Sequence, residues 1–460
     1  MLTVEKREIT NRVEGERAGV MDRRTYLAGA TAAAAAAVAG CAGSGRDDDD
    51  GARRDDRPDP PTATEPNPPP PDADAFERTV DIVAAGAAPT GREPIGDALR
   101  AEAVEDTLVE FPPGRYRLAE EFVPDVSRFG MRGPDATIVP AEGNDQLLFG
   151  LGGRSPASTL VVAGFTFDFR ASDTGGRPLL ARADDRILAR DLTVVGEVDV
   201  DQDLFRFDVT DPGGYGRVEG LRLPDGARPG TGVTGVEVGD DNRGDVDFVG
   251  CHVAGFPDNG LYADLPAGRV RVLGGTFLNN GVAGVRVEAD EAVVRGVHVR
   301  CDDADGAGEN MRGIRLRRGS SVLVEDCLVE MLEVTSSDGA VTFASELDAA
   351  VLRDSRIHVD ADGVNALRIK SEPDGDRRGP FRCENLRITG AAATGASVLA
   401  ADARGCRIED VAISHTGASR DGIATHNVTG SLRDVSVDVT GEPFRFDDSD
   451  LDRRDVTVAR

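Results

Sequence analysis

Past residue 130 the chain repeats one order of apolar and polar positions: apolar, any, apolar, any, then Gly, Asp or Asn, then apolar, any, apolar. Instances are "VRVLGGTF" around Gly274, "VLVEDCLV" around Asp326, "FRCENLRI" around Asn385 and "CRIEDVAI" around Asp410. The marker falls at Gly133, Gly164, Asp191, Gly220, Gly250, Gly274, Gly296, Asp326, Asp354, Asn385, Asp410, Asp434 and Asp455, at intervals of 21 to 31 residues. Such spacing describes one structural repeat with loops of variable length. The period-2 apolar residues on either side of each marker predict two short, half-buried strands. Gly, Asn and Asp tolerate a left-handed backbone, so the marker predicts a tight bend between them.

A third strand follows in most repeats, as in "GVRVEA" (284–289), "GIRLRR" (313–318), "AVTFAS" (340–345), "ALRIKS" (366–371) and "PFRFDD" (443–448). Three short strands per turn, stacked turn on turn, predict an all-β fold: a right-handed parallel β-helix of about 13 coils, about 4.8 Å apart, filled by aligned Val, Ile, Leu and Phe. Residues 77–130 predict a cap for the N-terminal end, with the strand and turn "VDIVAAGAAP", the short helix "IGDALRAEA" and the entering strand "LVEFPPGRYRL". The solenoid itself is expected over residues 131–460. The cap segment resembles that of the pectate-lyase and polygalacturonase (pectin lyase-like) superfamily, where a "GA" turn, a helix and a "PPG-Y" stretch recur in this order. The resemblance covers roughly residues 78–460 and implies the fold; a fold hosts many functions.

Composition adds a compartment and excludes some partners. Among 460 residues, 82 Asp and Glu oppose 53 Lys and Arg, a net charge of -29 that repels nucleic acid and anionic bilayers at long range. The balance resembles that of proteins from halophilic archaea. Lysine is nearly absent, with only Lys6 and Lys370, so Arg carries the positive charge. Residues 1–41 contain Arg23-Arg24-Thr25-Tyr26-Leu27, an Ala-rich run to Ala39, and Val38-Ala39-Gly40-Cys41. The order resembles a twin-arginine (Tat) export signal closed by a lipobox, which implies lipidation at Cys41 and a position on the outer face of the cytoplasmic membrane. The apolar run is shorter than the roughly 20 residues of a permanent span. Met21 sits where such signals start, which makes residues 1–20 a candidate misassigned start. Residues 42–76, acidic and Pro-rich, predict a disordered tether without a core.

The remaining cysteines are odd in number, and no two share a position in adjacent coils, so neither a structural disulfide nor a metal cluster is expected. Cys251, Cys327, Cys383 and Cys406 read as small core residues. His252, His298, His358 and His415 are scattered and lack ligand spacing. Asn427-Val428-Thr429 matches the N-glycosylation sequon at Asn427.

Stacking the third strands in register predicts an outward column of Arg206, Glu237, Tyr262, Arg286, Arg315, Thr342, Arg368 and, two coils further, Arg445. Beside it runs a second column with Asp264, Glu288, Arg317, Lys370, His426 and Asp447. Guanidinium groups at coil spacing suit the carboxylates or sulfates of an acidic polysaccharide lying along the helix. Arg286, Arg315, Arg317 and Tyr262 are the candidate binding residues. The other reading is a surface network in which Glu288, Glu309, Glu346 and Glu372 neutralise these cations.

"NALRIKS" (365–371) also resembles the substrate-binding Asn-Gly-x-Arg-Ile-Lys segment of polygalacturonases. The acids that the resemblance would require are replaced: Met311-Arg312 stand for Asp-Asp, Asp338-Gly339-Ala340 for Gly-His-Gly, and Gly281-Val282-Ala283 for Asn-Thr-Asp. Hydrolysis needs an acid and a base across the sugar, so polygalacturonase chemistry is not expected. If the chain is catalytic, β-elimination fits better: Arg368 or Lys370 as base, with Arg315 and Arg317 on the uronate carboxylate. The loop acids Asp302, Asp303, Asp305 and Glu309 are candidate calcium ligands. Two function classes stand open: a lipid-anchored β-helix that binds acidic polysaccharide, with or without lyase-type cleavage, and a non-catalytic surface or envelope solenoid. Oligomeric state is not legible.

Overall fold

The computed structural model describes residues 76–305, 307–371 and 377–459. The expected export signal with Cys41, the tether up to Ala75, and Glu372 lie outside them.

The strands wind into a right-handed parallel β-helix of about 14 turns. Each coil gives one strand to each of three faces. The face before the marker includes Val270–Leu273, Glu291–Arg295 and Ser321–Glu325, paired in parallel. The face after it includes Thr276–Leu278, His298–Cys301 and Leu328–Met331. The third includes Ala283–Val287, Ile314–Leu316, Val341–Phe343 and Leu367–Ile369. Short strands suffice because each residue has a partner above and below, so the stack satisfies backbone groups that a lone coil would leave open.

The markers make the bend between the first two faces. Asp191, Asp326, Asn385 and Asp410 have φ of 53°, 55°, 49° and 55°, and every other marker except Gly133 is also left-handed. At Gly133 the chain reads Gly-Pro-Asp, and Asp135 takes the left-handed place with φ 65°. Gly133 serves packing instead, since a Cβ there would sit 2.5 Å from the Phe165 ring.

Stacking begins earlier than the expected cap boundary. Arg78–Asp81 pairs with Thr107–Glu110, which pairs with residues 129–132. The helix Gly96–Glu102 belongs to this first coil, and its buried Leu99, with Ile95 and Ile82, closes the end of the core.

Inside, aligned side chains run along the axis. Phe122, Phe149, Phe167, Phe205, Phe207 and Phe248 form a file with centroid separations of 6.0 to 6.2 Å, mostly edge to face. Burying each Phe contributes up to about 3 kcal/mol. Further along, Val, Ile and Leu take over, with Cys251, Cys301, Cys327, Cys383 and Cys406 all free and buried. Burial pushes the Cys251, Cys301 and Cys406 thiols up to about 12, which removes the thiolate needed for reactivity.

Candidate functional site

The third face carries the outward column in register. Arg206 pairs with Glu237, Glu237 with Tyr262, Tyr262 with Arg286, Arg286 with Arg315, Arg315 with Thr342, and Thr342 with Arg368. Leu399 and Ala424 continue it, so Arg445 stands three coils beyond Arg368 rather than two. Lys370 donates its backbone N–H to Phe343, which sets it one coil from Ala344 in the second column. Ala401 separates it from His426 and Asp447.

Most cations of this ribbon have acidic partners. The Arg286 guanidinium donates to Glu288 Oε1 at 2.6 and 3.0 Å, and Arg317 reaches the same oxygen at 3.0 Å and Glu346 at 3.4 Å. Arg312 grips Asp338 through Nε at 2.6 Å and NH2 at 3.1 Å, and Lys370 Nζ donates to Asp338 Oδ2. Burial opposes ionisation of Asp338, but Arg312 and Lys370 outweigh it and hold the carboxyl well below its ordinary value. Glu309 is exposed and pairs with no cation among the described residues.

Arg315 differs from its neighbours. It has no acidic partner among the described residues, and its buried Nε has no hydrogen-bond acceptor. Burial, then repulsion from Arg312, Arg286 and Arg317, lowers the guanidinium to about 10, against some attraction from Asp338. Arg368 likewise has no carboxylate partner among the described residues: its NH1 donates to the carbonyls of Ile369 at 2.6 Å and Leu399 at 3.1 Å. Burial lowers it too, with Asp338 opposing. Both residues expected as bases, Arg368 and Lys370, are therefore engaged as donors.

Tyr262 is placed on the ribbon, but its ring is covered. Arg286 lies 4.1 Å over the ring centroid, and the hydroxyl contacts Asp264 at 2.8 Å and Glu288 at 3.0 Å. The face on which a sugar would stack is taken by a cation.

The ribbon also has an acidic end that the repeat pattern did not reveal beyond Glu237. Arg177 contacts Glu237 at 2.8 Å and Asp203 at 3.8 Å. Thr234 links two acids, its N–H donating to Asp203 Oδ1 at 2.7 Å and its hydroxyl to Asp258 Oδ2 at 3.4 Å. Burial, and then the Glu237 charge, raise Asp203. Burial raises Asp258 against Arg286 and Arg315. Asp203, Asp258 and Asp338 all lie just ahead of their strands, in loops where no alternation marks them.

The calcium expectation is not met by the geometry. Asp302 accepts from Arg300 Nε at 2.7 Å and Asn279 Nδ2 at 3.0 Å, and Asp303 caps the Asp305 N–H at 2.9 Å. The Asp302 and Asp303 carboxylates are turned to local donors, and among the described residues no three His, Cys, Asp or Glu converge as a metal site. His298 contacts Glu330 at 2.7 Å, and His415 is buried, lowered to about 4 by burial and then by Arg420. Asn427 is left-handed and half-buried, with its amide nitrogen on Asp402 and its oxygen accepting from Arg377.

No family model and no curated protein matches the chain. Solved structures resemble it at low identity. The surface adhesin PfbA of Streptococcus pneumoniae is 12% identical, with a TM-score of 0.46, over 80% of this chain and 91% of that one. The A-module of the mannuronan C-5 epimerase AlgE6 of Azotobacter vinelandii is 13% identical, with a TM-score of 0.40, over 83% and 99%. A DFA-IIIase of Arthrobacter chlorophenolicus A6 is 12% identical, with a TM-score of 0.38, over 83% and 92%.

Proposed function

We propose that this protein is a cell-surface β-helix that binds acidic polysaccharide along its third face. One observation carries the reading: Arg315 is a half-buried guanidinium without a counter-ion among the described residues, on a face where the nearby cations Arg286, Arg317 and Arg312 are paired. A desolvated, unpaired charge is costly, and an anion from outside relieves that cost. Arg368, two coils on, offers a second such group. The twin arginines, the apolar run and Cys41 support export and lipid anchoring, with the tether holding the solenoid off the membrane.

The test is retention on immobilised polygalacturonate and hyaluronan, with elution by salt. Wild type should be retained, and Arg315→Gln should elute at clearly lower salt. Equal elution of the two would remove the reading. Ultraviolet absorbance of an unsaturated product, followed with and without calcium, separates elimination at Arg368 or Lys370 from binding alone.

A second reading, a non-catalytic structural solenoid, is favoured by the ion pairs that occupy Arg286, Arg317, Arg312 and Lys370. It predicts no retention of either protein.

A further inference from the structure

Arg315 and Arg368, the guanidiniums of this column without a carboxylate partner among the described residues, stand on alternate coils, with Thr342 between them. The intervening coil is unlike both neighbours. Its outward residues Thr342 and Ala344 are short and buried, so no cation projects there. It presents an acid instead, since Thr342 Oγ1 lies 3.4 Å from Asp338 Oδ1. An anionic group placed over this coil would meet a carboxylate whose cations, Arg312 and Lys370, are already engaged.

Beyond the pair, the cations end or are occupied. Arg286, one coil before, is tied to Glu288, and Leu399 follows Arg368. Two anion positions are therefore open, two strand spacings apart, or about 9.6 Å. One sugar of an extended chain covers about one such spacing, so the two positions fall on sugars separated by one other.

We infer that the ribbon is matched to a polysaccharide carrying one anionic group on every second sugar, held by Arg315 and Arg368, with the uncharged sugar lying over the intervening coil, where Thr342 and Ala344 are buried. The inference rests on the reading of this face as a binding surface for acidic polysaccharide. The anionic group is a carboxylate or a sulfate, either of which accepts from a guanidinium in a forked geometry. A polymer charged on every sugar has more charge but sets one group in three over Asp338.

Calorimetric titration of the full chain at fixed salt tests this with three octasaccharides. Hyaluronan has a carboxylate on every second sugar, κ-carrageenan a sulfate on every second sugar, and oligogalacturonate a carboxylate on every sugar. At least one alternating probe should bind about tenfold more tightly than oligogalacturonate despite carrying half its charge. Arg315→Gln and Arg368→Gln should each erase that preference. Arg353→Gln, whose guanidinium pairs with Glu325 on another face, should keep it. Equal or tighter binding of oligogalacturonate by wild type overturns the spacing and leaves the binding face standing. Binding of none of the three overturns both.

Discussion

Asp338 holds Arg312 by two parallel contacts, Nε to Oδ1 at 2.6 Å and NH2 to Oδ2 at 3.1 Å, although the residues lie one coil apart. Lys370, on the following coil, shares Oδ2. One carboxylate thus links three successive coils. Asp338→Asn should destabilise the fold by about 2 kcal/mol, because it strands the buried Arg312 guanidinium. It should also strengthen retention on acidic polysaccharide by adding positive charge to the ribbon. Urea denaturation and salt elution measure the two effects, which should move in opposite senses.

Arg315→Gln separates binding from stability in the other direction. No partner is lost and repulsion from Arg312, Arg286 and Arg317 is relieved, so the variant should be no less stable than wild type. Its affinity should still fall, by about tenfold for one charge-assisted contact. Loss of stability on this change would mean that the guanidinium is held by the fold.

Asp203 sets a pH dependence. Burial and Glu237 raise it from 3.8 to about 7, with Arg177 and the Thr234 N–H opposing. Between these values the folded chain holds a proton that the unfolded chain has lost. The stability derived from Asp203 is therefore present at low pH and lost as pH rises through about 7. Asp203→Asn should flatten that part of the melting profile between pH 4 and pH 7, and an unchanged slope would count against the raised value.

The left-handed markers predict a sharp rule for substitution. Asp326, at φ 55°, should tolerate Gly with little loss, whereas Asp326→Val should cost about 1 kcal/mol or more. Equilibrium denaturation of the two variants compares the backbone term directly.

The Phe file gives a packing test. Phe205 is fully buried between Phe167 at 6.0 Å and Phe207 at 6.1 Å. Phe205→Ala should cost about 3–5 kcal/mol, and Phe205→Leu roughly 1 kcal/mol, by urea midpoint.

The fold was legible because a solenoid writes its register into the sequence. Arg286, Arg315, Thr342 and Arg368 were placed in one column from period-2 strands alone, and the pairing puts them there. Counting through the less regular C-terminal coils slipped by one at Arg445, where Leu399 and Ala424 intervene. The partners were harder to read. Glu288 and Glu346 were visible as counter-ions, being on or beside a strand, but Asp338 and Asp203 sit in loops, whose side chains follow no alternation. A covered surface was invisible as well: nothing in the spacing says that Arg286 lies on the Tyr262 ring.

Lys370 is the only lysine beyond Lys6, and it stands on the ribbon beside Arg368. The solenoid therefore presents one addressable amine in its entire described length. An amine-directed dye would mark a single coil, and a lysine-specific protease would find a single bond. A rare residue thus gives the protein an intrinsic reporter, whose labelling rate should fall when an anionic chain lies across that coil.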